Sequence, residues 1–227
     1  MASLIVTIDG PAGSGKSTIA RLLAQKLNAA FLDTGAMYRA VTLTAMQAGI
    51  DLAAEQQMLE LMQKTRFQFS ATAEKMTVTV DGRDVTEQIR RPDVTANAKY
   101  AASAPTVRAA LVDMQRQFAA DHKAIVTEGR DQGTVAFPDA HAKFYLTADA
   151  QERARRRHTE MATQGKPQSV EQIQQAIEQR DRSDAARTVG PMKPADDAIV
   201  IDTTNLTIDQ VVSTLLSYVN ERCPRKS

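Results

Sequence analysis

IDGPAGSGKST, at residues 8–18, is the stretch that decides the fold of this chain. Residues 10–17 match the phosphate-loop pattern Gly-x4-Gly-Lys-Ser/Thr at its required spacing. Glycines let such a loop turn tightly, so several backbone N–H groups and the positive end of the next helix face one anion. Lys16 is placed to reach terminal phosphates, and the Ser17 hydroxyl is placed to bind Mg²⁺. The motif predicts a nucleotide-binding loop, and by itself it leaves switches, motors and kinases open.

The segments on either side provide the context that this motif requires. Residues 4–8 form a short apolar run rich in β-branched residues, which predicts a buried strand. After the loop, apolar residues recur at helical spacing: Ile19, Leu22, Leu23 and Leu27. Strand, loop and helix therefore follow in order, which disfavours a glycine-rich turn that matches the pattern by chance.

Strand-like and helix-like segments alternate through the rest of the chain. Further buried strands are predicted at residues 31–32, 124–127, 143–146 and 198–201. Helices are predicted at residues 37–48, at 94–118 with a break near Pro105, and from capping-box starts at Asp149, Ser169 and Thr207. This alternation predicts a three-layer α/β/α fold around a five-stranded parallel sheet.

Residues 66–85 follow a two-residue period instead. Apolar residues alternate with polar ones at 67–69 and again at 76–80, and Asp81-Gly82 supplies a turn signal. This pattern predicts a small antiparallel β insert between helices.

Composition limits the classes of protein to which the chain can belong. It has 227 residues, 43% of them hydrophobic and 24% charged, with 28 Lys and Arg against 27 Asp and Glu. A net charge of +1 gives no support for a broad nucleic-acid-binding face. Cys223 is the single cysteine, so a disulfide within the chain is impossible and a reducing compartment is expected. The sequence lacks an apolar run of roughly 18 residues and a secretory signal pattern, so we expect a cytoplasmic protein without a membrane partner.

Charged residues follow the predicted strands at the edge where α/β proteins bind ligands. Arg39 comes after the second strand and can hold a phosphate bidentately, unless it is an exposed helix residue. Glu128, Arg130 and Asp131 follow the third strand, where Glu128 can orient Mg²⁺-bound water; a salt-bridged turn is the alternative. Both positions predict ligand contacts at the same sheet edge as the phosphate loop.

Two arginine-rich helical segments lie further along the chain. Arg180, Asp184 and Arg187 share one helical face, which can embrace a sugar and its phosphate or form a solvated salt-bridge stripe. Residues 153–157 carry four arginines before a glycine break, as a lid over ATP requires; a salt-bridged surface helix is the alternative. With the phosphate loop, these cations favour phosphoryl transfer, which needs positioning and positive charge more than covalent chemistry. The sequence has no NKxD-type guanine-binding motif, which disfavours a GTPase.

Four stretches together resemble bacterial cytidylate kinases: IDGPAGSGKST, LDTGAMYRAVTL, EGRDQGTVAFPDAHAKFYL and PADDAIVIDTT. They occur in that family's order, and the resemblance runs over nearly the whole chain, including the insert at residues 66–85. It implies an ATP-dependent kinase of pyrimidine nucleotide metabolism that uses Mg²⁺ and transfers the γ-phosphoryl group of ATP to CMP or dCMP. It also implies a monomer of three parts. These are a core at about residues 1–36, 105–150 and 188–227, a subdomain for the nucleoside monophosphate with the β insert at about 37–104, and a lid at about 153–170.

The resemblance also implies roles for individual residues. The ATP site would comprise Gly10, Pro11, Ala12, Gly13, Ser14, Gly15, Lys16, Ser17 and Thr18. Ser17 would share Mg²⁺ with the ATP phosphates. The acceptor site would comprise Thr34, Arg39, Lys99, Arg108, Arg130, Asp131, Arg180, Asp184 and Arg187. In it, Arg39 and Arg130 would hold the phosphate, Arg108 and Asp131 would read the cytosine edge, and Asp184 would bind the ribose. The catalytic cations would be Lys16, Arg130, Arg153, Arg157 and Arg180.

One residue departs from the family pattern. The family often has a serine nine residues before the arginine that matches Arg108, and this chain has Lys99 there. The ammonium group could contact the cytosine carbonyl, but not as a serine would, and Ser103 takes part if the register is shifted. The sequence therefore leaves the preference between CMP and UMP open.

Three rival functions stay open from the sequence: a P-loop kinase acting on a sugar or other metabolite, a nucleotide-binding switch or scaffold without turnover, and an ATPase domain serving nucleic acid. The arginines disfavour the switch, because a mere binder has no need of cations around a second anion. The near-neutral net charge disfavours the ATPase and any nucleic-acid partner.

Overall fold

The computed structural model describes residues 4–163 and 168–223, which alternate strands with helices. The strands are β1 (Leu4–Asp9), β2 (Ala30–Asp33), β3 (Phe67–Ala71), β4 (Met76–Val80), β5 (Arg83–Asp84), β6 (Ala124–Gly129), β7 (Ala142–Thr147) and β8 (Ile199–Asp202). The α-helices are α1 (Lys16–Leu27), α2 (Thr34–Gln47), α3 (Glu55–Lys64), α4 (Pro92–Ser103), α5 (Pro105–Ala120), α6 (Ala150–Thr163), α7 (Val170–Ala185) and α8 (Ile208–Arg222). Two short turns complete the order, a 3-10 turn at Gln88–Arg90 and a π-helical turn at Gln132–Ala136.

The main sheet has five parallel strands in the order β2-β6-β1-β7-β8, which confirms the predicted sheet. Its two faces bury different clusters, so neighbouring residues of one strand enter different cores. Ile125 of β6 packs with Leu32, Met37 and Leu111 on the α2 and α5 side. The other face packs against α1 and α8, where the buried residues include Val6, Val126, Leu23 and Leu215. The three-layer α/β/α prediction is therefore confirmed, and the loop after β1 leaves the centre of the sheet.

The predicted antiparallel insert is also present, as a three-stranded sheet in the order β3-β4-β5. Asp81 and Gly82 join β4 to β5, and both have positive φ (48° and 79°), as a type I′ hairpin turn requires. Met76 and Val78 of β4 are buried in the same cluster as Leu32 of the main sheet. The insert therefore shares a hydrophobic core with the parallel sheet.

Three local details bear on the sequence predictions. The break near Pro105 is confirmed: Ala104 lies extended between α4 and α5, because a residue before proline avoids helical geometry. The capping boxes at Ser169 and Thr207 are confirmed. The one at Asp149 is wrong, since its carboxylate accepts from Gln151 N–H and its own N–H donates to Thr204.

Helix α3 went unpredicted, although the buried pair Met58 and Met62 has helical spacing. Helices α6 and α7 pack together around Ala154, Ile173 and Ile177, and the predicted glycine break at 165–167 lies outside the described residues. Within residues 4–163 and 168–223, no helix combines the length and the hydropathy of a membrane span.

Candidate active site

The phosphate loop links the central strand β1 to helix α1 through residues 10–15. Gly10, Gly13 and Gly15 all have positive φ (142°, 77° and 84°), a region that side chains with a Cβ disfavour. A Cβ at Gly10 would also overlap the Leu146 carbonyl oxygen of β7. The loop thus needs these glycines both for its turn and for its contact with the neighbouring strand.

Lys16 is the first residue of α1 and is 4% exposed. Its Nζ folds back and donates to Pro11 O at 2.5 Å and to Ser14 Oγ at 3.4 Å. Burial lowers the pKa of Lys16 to about 7, and the positive charge of Arg130 adds to this effect while Glu128 opposes it. A buried lysine that titrates near neutrality beside other charges is typical of a functional site.

Glu128 links the phosphate loop to the end of strand β6. Its Oε1 accepts a 2.8 Å hydrogen bond from Ser17 Oγ, while its backbone carbonyl accepts a 2.7 Å bond from Thr34 Oγ1. The residue is buried, and β6 lies directly beside β1. The first turn of α1, the end of β6 and the start of α2 therefore meet at Glu128, which lies within β6 and not after the strand as predicted.

Asp9, at the end of β1, is a site residue that sequence reasoning missed. Its carboxylate accepts from the backbone N–H groups of Gln132 and Gly133 at 2.9 and 2.8 Å. Burial raises the pKa of Asp9 to about 7, although these two hydrogen bonds act in the opposite direction. Asp9 fixes the π-helical turn that directly follows Arg130 and Asp131. The available signal was an acid at the end of a buried strand immediately before the phosphate loop.

Arg39 of α2 is mostly buried, so the exposed-helix alternative is wrong. Its Nη2 lies 3.2 Å from Oδ2 of Asp33, which also caps α2 by accepting from Ala36 N–H. Arg90, which the sequence reasoning did not single out, reaches the same oxygen at 3.5 Å from the 3-10 turn. Two guanidinium groups from different elements thus converge beside the end of β2.

A second convergence centres on Asp184 of α7, which is buried. Arg130 Nε donates to its Oδ2 at 2.8 Å, Arg187 pairs with its Oδ1, and Arg180 Nε lies 4.0 Å from Oδ2. The side chain of Arg180 is 48% exposed, whereas that of Arg187 is 11% exposed. The alternative of a solvated salt-bridge stripe therefore does not fully describe this helical face, because Arg130 from the sheet edge also pairs with Asp184.

Arg108 and Asp131 form a buried ion pair with each other. Arg108 also donates to Ala102 O at 3.1 Å, and its Cζ lies 5.6 Å from the ring centroid of Tyr38. Burial raises the pKa of Asp131, and the charge of Arg108 opposes that rise. Gly190, in the loop after α7, lies so close that a Cβ there would overlap Arg108 Nη2 and Asp131 Oδ2.

The two predicted lid cations occupy different environments. Arg153 is buried and donates to Ala12 O at 2.8 Å and to Asp181 Oδ2 at 2.5 Å, so it contacts the phosphate loop itself. Arg157 is exposed and pairs with Glu160, one turn along the same helix, at 3.0 Å. The structure therefore places neither of them as an unpaired cation facing the loop.

Lys99 and Ser103 line one cavity together with Glu55, Tyr100 and Ser183. The side chain of Lys99 is exposed, and its Nζ lies 5.2 Å from the centroid of the Tyr100 ring. Lys99 and Ser103 are the two candidates for the position at which this chain departs from the family pattern. Both therefore line the same cavity, and Arg108 and Asp131 do not line it.

The fold and this site define a P-loop phosphotransferase of the α/β class. The chain belongs to the cytidylate kinase family. The family model, whose description is cytidylate kinase, matches residues 6–221 of this chain. It is 47% identical over 216 residues to a cytidylate kinase of Desulforamulus reducens, covering 95% of this chain and 96% of that one. It is 44% identical over 217 residues to the cytidylate kinase of Anoxybacillus flavithermus, covering 96% of each.

A solved structure of an uncharacterized protein from Eubacterium ventriosum has the same fold. The two superpose with a TM-score of 0.52 at 12% sequence identity, over 96% of this chain and 98% of that one. A likeness at this identity concerns the fold alone.

Proposed function

We propose that this chain transfers the γ-phosphoryl group of ATP to CMP, and also to dCMP, giving CDP or dCDP and ADP. Its membership of the cytidylate kinase family supports this reaction, as do the names of its relatives. The reaction belongs to pyrimidine nucleotide metabolism.

One observation carries the proposal: the hydrogen bond between Ser17 and Glu128. Ser17 follows the phosphate-loop lysine, and Glu128 stands two residues before Arg130. The hydrogen bond therefore holds the phosphate loop and the segment that carries Arg130 at the same edge of the sheet. Such an arrangement suits two anionic tails that meet end to end.

The donor site is assigned to residues 10–18, with Lys16 directed to the ATP phosphates. Ser17 would hold Mg²⁺ together with those phosphates, and Glu128 would orient the bound water. Both groups offer oxygen atoms, the donors that Mg²⁺ prefers, and the ion usually needs only one or two protein ligands besides phosphate. Among residues 4–163 and 168–223 there is no cluster of three or more His, Cys, Asp or Glu that could hold a metal. Mg²⁺ supplies neutralising charge on the transferred group.

The acceptor site is assigned to the two arginine clusters. Arg39, Arg130 and Arg180 would bind the phosphate of CMP, Asp184 and Arg187 would bind the ribose, and Thr34 would lie close to them. Arg108 and Asp131 would read the cytosine edge, with Lys99 at the neighbouring cavity. Unused donors support this assignment, since the buried Nε atoms of Arg39, Arg108 and Arg187 have no hydrogen-bond partner among the described residues.

The proposed mechanism is a direct in-line transfer. The phosphate of CMP is already ionised at neutral pH, so its oxygen attacks without a strong general base. Lys16, Arg130 and Arg180 stabilise the charge of the transition state, and Arg157 joins them if the lid closes. Arg153 acts through its contacts with the phosphate loop. Closure of a lid at about 153–170 and of the subdomain at about 37–104 over the core would exclude water and suppress ATP hydrolysis.

The deciding experiment is a panel of acceptors with ADP release as the readout: CMP, dCMP, UMP, AMP, shikimate and gluconate. We expect the highest kcat/KM with CMP and dCMP. Preference for shikimate or gluconate would indicate a metabolite kinase, and ATP binding without acceptor-dependent ADP release would indicate a switch. We further propose a monomer in the cytoplasm, as the resemblance to bacterial cytidylate kinases implies.

A further inference from the structure

Asp181 of helix α7 contacts the phosphate loop directly. Its Oδ1 accepts a 3.2 Å hydrogen bond from the backbone N–H of Ala12, and its Oδ2 lies 2.5 Å from Nη1 of Arg153. Each carboxylate oxygen therefore has its own donor, one from the loop and one from helix α6. Ala12 and Asp181 are 169 residues apart in sequence, so this contact is a long-range link.

Arg153 completes the link from the other side. The same Nη1 donates to the carbonyl oxygen of Ala12 at 2.8 Å, and Nε donates to Ala148 O at 3.0 Å. A Cβ at Gly13 would lie within 3.2 Å of the Cβ and the carbonyl oxygen of Arg153. Both backbone groups of Ala12 are thus bonded to the Asp181–Arg153 pair, and the next loop residue packs on the backbone of Arg153.

Apolar packing reinforces this polar contact. Ala154, Ile173 and Ile177 form the small buried core between α6 and α7, and Ala12 packs against it. One residue of the phosphate loop is therefore part of the core of the two-helix hairpin. A change in the position of Ala12 must disturb that core, because packed interiors leave little free volume.

The other end of the link is the acceptor site. Asp181 lies between Arg180 and Asp184 on α7, and Asp184 receives Arg130 from the sheet edge. A rigid helix transmits a shift at one residue to its neighbours one turn away. The bonds of Asp181 therefore fix where Arg180 and Asp184 stand relative to the phosphate loop.

We propose that Asp181, paired with Arg153, is a positioning residue that couples occupation of the phosphate loop to the placement of the acceptor-binding residues of α7. The inference rests on the proposed function, since it assumes that ATP and CMP bind at these two places. It predicts that ATP and CMP bind cooperatively and that the cooperativity passes through the Asp181 carboxylate.

The test is the affinity of CMP, measured by calorimetry with and without a non-hydrolysable ATP analogue and Mg²⁺. In the natural chain we expect the analogue to tighten CMP binding about fivefold or more, and in Asp181→Asn we expect less than about a twofold change. Asparagine has a single side-chain oxygen, so it can keep the hydrogen bond from Ala12 N–H but then presents an NH2 group to the Arg153 guanidinium, and the variant therefore removes the ion pair. The reciprocal measurement, of the analogue with and without CMP, must give the same factor.

The matched control is Glu178→Gln, on the same helix. Glu178 accepts a hydrogen bond from Gln174 one turn away, outside the catalytic and binding groups. It is expected to keep the coupling factor of the natural chain. A coupling factor that is unchanged in Asp181→Asn, or that falls equally in both variants, would overturn the proposal. So would the absence of coupling in the natural chain.

Arg153→Lys supplies an independent route if Asp181→Asn fails to fold. Lysine keeps the positive charge for Asp181 but cannot bond Ala12 O and Ala148 O in the same geometry, so the coupling factor is expected to fall here too. In the double variant the factor is expected to fall no further than in the single variants, because both remove one link. A failure of the proposed function would look different: the natural chain would then show no CMP-dependent ADP release at all.

Discussion

Arg130 and Asp184 are joined by a 2.8 Å hydrogen bond across 54 residues of sequence. Arg130 follows the end of β6, and Asp184 lies on α7, so the bond ties the sheet edge to the helical hairpin. Arg187 binds the same carboxylate, which leaves more positive than negative charge around it. An incoming phosphate therefore meets arginines that are already oriented by a buried counter-ion.

The first prediction concerns turnover. Lys16→Ala and Arg130→Ala are each expected to lower kcat for CMP phosphorylation by about 10²-fold or more, because each removes a cation that stabilises the transition state. Circular dichroism and steady-state kinetics measure fold and rate separately. Arg182→Ala, which removes an exposed arginine of α7, is the control and should stay close to the natural rate. Near-natural kinetics for both variants would refute the assignment.

The second prediction concerns Gly190. Its φ is 61°, and a Cβ there would overlap both partners of the Arg108–Asp131 pair. Gly49 has a similar φ of 66°, but a Cβ there would meet open space among the described residues. Both alanine variants carry a backbone cost of about 1 kcal/mol. Only Gly190→Ala is expected to raise KM for CMP, by about tenfold, while KM for ATP stays unchanged. An equal effect on CMP in both variants would show that Gly190 does not matter to the acceptor site.

The third prediction concerns pH and Asp9. Its pKa is about 7 in the folded chain, against 3.8 when unperturbed. Between these pH values the folded state binds more protons than the unfolded state, so the contribution of Asp9 to stability falls as pH rises and stays low above about 7. Asp9→Asn removes this dependence. The free energy of unfolding of the variant, measured in urea relative to the natural chain, should therefore increase from about pH 4.5 to about pH 7.5. A constant difference would contradict the raised pKa.

The fourth prediction concerns Lys16 and proton uptake. Because the pKa of Lys16 is about 7 without ligand, the amine is mostly neutral at about pH 8.5. Phosphate groups beside it favour the charged form, so binding of an ATP analogue should take up close to one proton at that pH. Calorimetry in buffers of different ionisation enthalpy counts the protons. Lys16→Met should abolish the uptake, and an uptake that persists in this variant would assign it to another group.

The elements that were predicted correctly have local signals. The phosphate loop combines a fixed spacing with a strand before it and a helix after it. Asp81-Gly82 is a dipeptide typical of a type I′ hairpin turn. The break before Pro105 follows from the restriction that proline places on its neighbour. Helix α3 also has a local signal, which went unused: Met58, Leu61 and Met62 recur at helical spacing.

The sequence allowed candidate site residues to be chosen by type and position, but it did not indicate which of them pair. That Arg39 and Arg130 lie at the sheet edge follows from their place after strands. The hydrogen bond between Arg130 and Asp184 could not be predicted in this way, because the two residues come from distant parts of the chain and only tertiary packing brings them together. Arg153 is the clearest case, because nothing among the four arginines of residues 153–157 singles out the one whose side chain bonds the phosphate loop.

The insert of β3, β4 and β5 shares its apolar residues with the parallel sheet, because Met76 and Val78 pack in the cluster that holds Leu32. Removing residues 66–85 would therefore leave a cavity in the hydrophobic core of the main sheet, because buried residues of the insert belong to that core. We expect such a shortened polypeptide to precipitate or to melt in a broad, non-cooperative transition.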